Sequence, residues 1–295
     1  MYRRQALIAL TALAFTPATT AVGADTIVVG GKNFTEQLIM ASLTSQLLKA
    51  KGYSVETRTG LGSATLRQAQ ESGQVDVYWE YTGTALITYD KIDKKLDAAE
   101  TYATVKKLDA AKGLVWLDPS KANNTYALAM RQADADAKGI HTISELAAKI
   151  NGGDKMRLGS TAEFYARPDG LMPMEKLYGF EFGRSNVVRM DAGLIYQALR
   201  DSQIEVGVVF ATDGRIPAFH FTVLKDDKDF FPTYAMTPVV RKATLDKDPK
   251  LAGILNALSA KLDDEVMAKL NASVDVEKKG VDQVAADFLK SQGLI

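Results

Sequence analysis

Strand and helix signals alternate along this chain in two separate stretches. In the first, residues 26–30 form a short buried-strand run. Leu38, Ile39, Leu43, Leu47 and Leu48 then keep helical spacing across 36–51, with Thr35 placed to cap that helix and Gly52 to stop it. Residues 55–59 read as a second strand, a helix capped by Ser63 runs to Ser72, and 75–79 is a third strand. This order demands a largely parallel sheet covered by helices. The second stretch repeats the scheme: helix 143–150, strand 156–160, helix Leu171–Tyr178, strand 187–190, helix 194–201, strand Val206–Phe210. From about Lys250 the tail reads as three helical pieces ending near Gly293.

The two stretches also resemble each other. Gln68, Ala69, Gln74 and Val77 fall on Gln197, Ala198, Gln203 and Val206 when segment 66–77 is laid on 195–206. Any α/β protein holds such units. The functional reading is two similar lobes facing each other across a cleft, and 295 residues suffice for both cores. Ligands of open α/β sheets sit beyond the carboxyl ends of the strands, near helix N-termini.

The ends and the charge narrow the function. Arg3 and Arg4 precede an apolar run over 6–15, and small residues close on Val22-Gly23-Ala24. That is the layout of a secretory leader cleaved near Ala24, and the run is too short to span a bilayer. There is no cysteine, hence no disulfide framework and no lipid anchor at the cleavage site. A free periplasmic monomer is expected. The 36 basic residues balance 36 acidic ones, so nothing electrostatic favours nucleic acid. The only histidines are His141 and His220, with no HExxH spacing, no Ser-His-acid order and no phosphate loop. No enzyme, cofactor or metal is expected, although paired carboxylates remain open to an enzyme. Asp226, Asp227 and Asp229 alternate with lysines and read as a solvated turn.

Five motifs occur in order: Gly31-Lys32-Asn33-Phe34-Thr35-Glu36-Gln37, Tyr78-Trp79-Glu80-Tyr81-Thr82-Gly83-Thr84, Asn123-Asn124-Thr125-Tyr126-Ala127, Arg167-Pro168-Asp169-Gly170 and Thr212-Asp213-Gly214-Arg215-Ile216. Together they resemble the substrate-binding proteins of osmoprotectant ABC importers, which take up glycine betaine, choline, carnitine and related solutes. The resemblance covers nearly all of the chain beyond the leader. It implies the type II periplasmic-binding-protein fold, two α/β lobes joined by two crossing strands around a ligand cleft. The expected parts are a leader over 1–24, lobe one over 25–125 and 222–295, and lobe two over 126–221. The implied partners are a quaternary-ammonium small molecule and the membrane permease of an ABC importer.

A quaternary ammonium has no N–H to donate, so aromatic faces suit it. The resemblance points to Tyr81, Tyr126 and Tyr196 as a cage. Phe219 takes the place of a fourth family tyrosine, with His220 beside it as the alternative. Three desolvated cation–π contacts give about 6 kcal/mol, short of the roughly 8 kcal/mol of micromolar binding. A carboxylate anchor is therefore needed, and Lys32, Gln37, Thr84, Asn124 and Arg167 are its candidates. Tyr78 and Trp79 alternate, so one should face the core and the other the cleft edge. The rival readings are a two-lobed binder for an amino acid or polyamine and a stand-alone osmotic sensor.

Overall fold

The computed structural model describes residues 26–295, so the leader expected over 1–24 lies outside the described residues. The first part of the chain runs β1 (Ile27–Lys32), α1 (Thr35–Ala50), β2 (Val55–Leu61), α2 (Ser63–Glu71), β3 (Val77–Tyr81), a π-helical turn (Thr84–Tyr89), α3 (Ala98–Ala110) and β4 (Leu114–Trp116). The middle runs β5 (Tyr126–Arg131), α4 (Gln132–Lys138), α5 (Ile143–Asn151), β6 (Leu158–Ser160), α6 (Ala162–Ala166), α7 (Leu171–Tyr178), β7 (Val187–Arg189), α8 (Ala192–Arg200), β8 (Val206–Phe210), α9 (Arg215–Ala218) and β9 (Phe221–Val223). The last part is β10 (Met236–Arg241), α10 (Lys242–Lys247), α11 (Lys250–Ser259), α12 (Asp264–Asp275) and α13 (Val281–Ser291).

Two five-stranded sheets result, ordered β2-β1-β3-β10-β4 and β7-β6-β8-β5-β9. Each is the core of one lobe. The central strands, β3 and β8, pair in parallel with β1 and β6 on one side and antiparallel with β10 and β5 on the other. Every residue of β3 is buried, as expected for a strand covered on both faces. Helix α1 is buried on several sides, with Ile39, Leu43, Leu47 and Leu48 essentially inaccessible, because it lies between the first sheet and helices α12 and α13. Trp79 and Tyr78 are both sealed inside, so neither reaches the cleft edge as expected. Trp79 donates its indole N–H to Thr44 and Tyr78 its hydroxyl to Glu80.

The internal similarity has a structural counterpart. Val29 pairs with Val77 in the first sheet and Leu158 with Val206 in the second. At Gly30 a Cβ would lie 2.6 Å from Leu66 Cδ1 and 2.8 Å from Val75 Cγ1; at Gly159 it would lie 2.4 Å from Ile204 Cδ1 and 3.3 Å from Ile195 Cγ2. Leu66 and Val75 fall on Ile195 and Ile204 in the sequence match. Both lobes therefore press a helix and its following turn onto the same glycine of the neighbouring strand. The helix exits agree too: Gln74 N–H donates to Ala69 O and Gln203 N–H to Ala198 O, each at 2.8 Å.

The chain crosses between sheets twice. Around Asn123 and Ala235 the two passes form an antiparallel bridge, and Tyr234 N–H donates to Asn123 Oδ1 at 2.7 Å. The first crossing precedes Tyr126, close to its expected place. The second comes later than the expected return at residue 222. β9 still pairs with β5, and Phe231 N–H donates to Asp226, whose carboxylate also holds Tyr178 of α7. Among the described residues no helix is long and apolar enough to cross a membrane, and no cluster of metal-ligating side chains occurs.

Candidate functional site

A cavity of about 460 Å³ lies between the lobes. Three positions from each lobe line it, and they correspond. At the end of β1 come Lys32, Asn33 and Phe34; beyond β6 come Thr161, Ala162 and Glu163. Gly62 and Ser63 start α2; Asp191 and Ala192 start α8. Tyr81 ends β3 and Phe210 ends β8. Thr84, Arg167, Arg189 and Met190 add to these walls, and Asn124, Tyr126 and Tyr234 come from or beside the crossings.

Five rings meet here. Phe34 lies between Tyr81 and Phe210, with ring centroids 6.3 and 5.1 Å away and nearly parallel planes. Tyr126 stands 5.2 Å from Phe210 and meets Tyr234 edge-on at 5.6 Å. First lobe, second lobe and both crossings all contribute a ring.

Of the charged groups around the rings, Lys32, Glu163 and Arg167 are paired. Lys32 Nζ donates to Glu80 Oε1 at 2.6 Å and lies 5.0 Å from the Tyr81 ring centre. Arg167 grips Asp169 with two parallel hydrogen bonds of 2.7 and 2.6 Å, and reaches Glu163 at 3.1 Å and Thr84 across the cleft at 3.4 Å. Its guanidinium is 5.3 Å from the Tyr126 ring centre. Tyr234 donates its hydroxyl to Asp169. Burial works to raise the Glu163 carboxyl, but Lys32, the Ser63 hydroxyl and Arg167 outweigh it and hold it below its ordinary value.

Behind Tyr81 sits a second polar group, Glu36, in the first turn of α1. Burial pushes its carboxyl above the ordinary range despite hydrogen bonds from Thr212, Tyr81, Asn271 and Asn124.

Of the expected site residues, Lys32, Thr84, Tyr81, Asn124, Tyr126 and Arg167 all face this one cavity. Three do not. Gln37 stands behind the wall, donating to Trp79 O and Tyr81 Oη at 2.9 and 3.0 Å. Tyr196 is fully buried in the second lobe, its ring 3.8 Å from the Arg215 guanidinium and its hydroxyl accepting from Phe210 N–H. Helical geometry turns its ring inward with Ile195 and Leu199. Phe219 and His220 lie with Arg131 and Arg200 around a separate surface depression. Thr35, expected to cap α1, instead donates to Asp275; Phe34 is the residue before the first helical one.

Phe34, Phe210 and Tyr234 were missed. For Phe210 a signal existed: extending the internal match four residues past Val77 and Val206 lays Tyr81 on Phe210. Phe34 stood inside a quoted motif. Tyr234 sits on the later crossing and has no local pattern to reveal it.

The profile of a family described as "Substrate binding domain of ABC-type glycine betaine transport system" matches residues 25–291. The chain belongs to this family. It is similar to a protein of Pseudomonas aeruginosa named glycine-betaine-binding protein, 49% identical over 278 residues, which span 92% of this chain and 89% of that one. It is similar to the glycine betaine-binding protein YehZ of Escherichia coli, 33% identical over 279 residues and 92% of each chain. Among solved structures, one described as a glycine betaine/carnitine/choline ABC transporter superposes with a TM-score of 0.73 at 28% identity, over 91% of this chain and 99% of that one. The fold is thus the expected two-lobed periplasmic-binding-protein fold. The family's role is binding a small molecule outside the cytoplasm for an ABC importer.

Proposed function

We propose that this chain is a periplasmic binding protein that captures a quaternary-ammonium osmoprotectant, glycine betaine or a close relative such as choline or carnitine, without turning it over, and passes it to a membrane permease. The observation that carries this reading is the convergence of Phe34, Tyr81, Tyr126, Phe210 and Tyr234 on one cavity between the lobes. Ring faces attract a methylated cation and pack against its methyl groups, at roughly 2 kcal/mol per desolvated contact. The names of the relatives from P. aeruginosa and E. coli point the same way.

The carboxylate of a betaine finds donors at several places on the cavity wall. Lys32 has three N–H groups and one is engaged by Glu80; Arg167 reaches the wall from the other lobe. The starts of α2 and α8 line the cavity with no side chain capping either one, leaving backbone N–H groups at the positive end of each helix. A polyamine would want several unpaired acids instead; Glu163 is already held by Arg167, which leaves Asp191 as the one acid of the wall with no ion pair among the described residues.

Calorimetric titration with glycine betaine, choline and putrescine is the test. The reading expects saturable heat from at least one quaternary compound, and weakening of every quaternary ligand by Tyr126→Ala. Binding of putrescine alone would overturn it.

A further inference from the structure

We propose that Glu36 is a positioning residue that makes closure of the lobes and placement of the Tyr81 ring a single event. Its carboxylate takes one donor from each of four separate segments. Oε1 accepts from Tyr81 Oη and Asn124 Nδ2, both at 2.7 Å; Oε2 accepts from Thr212 Oγ1 at 2.5 Å and Asn271 Nδ2 at 3.2 Å. Tyr81 ends a strand of the first lobe, Asn124 lies on the first crossing, Asn271 is on α12, and Thr212 follows β8 of the second lobe.

Glu36 does not line the main cavity. It lines a smaller space of about 150 Å³ that also borders Phe34 and Phe210. It therefore acts through its neighbours rather than on a ligand. Thr212 is the member of the hub that belongs to the second lobe. It is held twice, because Asn271 also donates to its carbonyl at 3.0 Å. Next to it Arg215 pairs with Asp213 at 2.6 Å and with Asp275 of α12 at 3.2 Å, while Thr35 donates to Asp275 from the start of α1. The segment 212–215 is thus grasped by the ends of α1 and α12.

The physical logic follows from the position of the carboxylate. Glu36 is 3% exposed and has no lysine or arginine partner among the described residues. A buried carboxylate is tolerated only with its hydrogen bonds made, and losing a donor leaves part of the desolvation cost uncovered. Parting the lobes removes Thr212 and readmits water; bringing them together restores the full set. The closed arrangement alone satisfies the carboxylate while dry, and the same carboxylate, with Gln37 of α1 beside it, holds the Tyr81 hydroxyl.

This inference rests on the cavity being the ligand site, and the test separates the two. Thr212→Val keeps the shape and removes the donor; Thr212→Ser returns it. Glycine betaine affinity is measured by calorimetry, and lobe separation by small-angle scattering with and without betaine. Thr212→Val is expected to bind betaine about ten-fold to a hundred-fold more weakly, as for a hydrogen bond to a charged group. Its ligand-free radius of gyration should be larger than the wild type's, with Thr212→Ser restoring both. Asn271→Ala attacks the hub from α12 and is expected to give the same pair of changes should Thr212→Val not fold. Wild-type affinity with wild-type scattering would overturn the proposal, as would weaker binding with unchanged scattering. If the wild type ignores betaine while Thr212→Val still expands the molecule, the ligand reading fails and the latch stands.

Discussion

The two lobes offer the cavity the same three positions and fill them with different chemistry. At the end of the first parallel strand, lobe one places Lys32 and Phe34 where lobe two places Thr161 and Glu163. At the next helix start, Ser63 answers Ala192; at the end of the central strand, Tyr81 answers Phe210. Only this last pair is aromatic in both. The scaffold therefore sets where groups point, through the shared strand register and the glycine contacts at Gly30 and Gly159. The side chains set what each wall does. Lobe one brings a basic group and two rings, and lobe two brings an acid, Arg167 and one ring.

Each lobe also seats an ion pair beside the cavity, and here the comparison breaks most visibly under mutation. Glu80, left alone by Lys32→Met, keeps donors from Tyr78, Tyr89 and the Tyr81 N–H. Asp169, left alone by Arg167→Met, keeps the Tyr234 hydroxyl. Stripping a buried charge of its partner costs about 3–5 kcal/mol. Denaturant unfolding should show a loss of that size for Arg167→Met and a smaller one for Lys32→Met. Equal losses would mean that the two pairs are alike.

The glycine contacts come next. An added methyl in a packed core typically costs about 1–3 kcal/mol. Gly30→Ala should sit at the upper end, because Val75 Cγ1 cannot swing away as the tip of Ile204 can at Gly159. Ile204→Val should largely repair Gly159→Ala. Thermal unfolding of the three variants checks this order.

The two acids behind and across the cavity should respond to pH with opposite sign. Glu36 is raised by burial, so its contribution to stability is complete below the ordinary glutamate value of 4.5 and is lost as pH climbs through its raised value. Glu163 is lowered, with burial outweighed by Lys32, Ser63 and Arg167, so its contribution exists above the ordinary value and is lost as pH falls through the lowered one. Against wild type, Glu36→Gln should gain stability as pH rises toward neutral. Glu163→Gln should lose it there and converge with wild type in acid. Denaturation midpoints across that range decide.

The smallest effect is expected outside the cavity. Phe219→Ala should leave betaine affinity unchanged in calorimetry, since Phe219 packs on Phe221 and under Arg200 on the far side of lobe two.

Much of this was legible in the sequence for a physical reason. Strands alternating with their covering helices write strong period patterns, so β1 to β3, β6 to β8 and the three tail helices stand close to their expected places. β10 was hidden because Pro238 interrupts the run, and a proline argues against a strand paired on both sides. The short β9 and the later crossing lack any period. At the site, Lys32 and Tyr81 at strand ends and Asn124 and Tyr126 at the first crossing were found because the motifs contain them, whereas Phe210 at a strand end and Tyr234 on the later crossing lie outside every motif. Tyr196 lies on a helix face whose direction is set by packing that a motif does not encode, and Phe219 follows α9 at a separate surface depression.

The most direct measurement is a crystal structure of the protein with glycine betaine. A trimethylammonium group packed against the cluster of Phe34, Tyr81, Tyr126, Phe210 and Tyr234 in the cavity between the lobes, with its carboxylate toward Lys32, Arg167 or the helix starts, is what the account predicts. A betaine seated away from that ring cluster, or bound to one lobe alone, would contradict it.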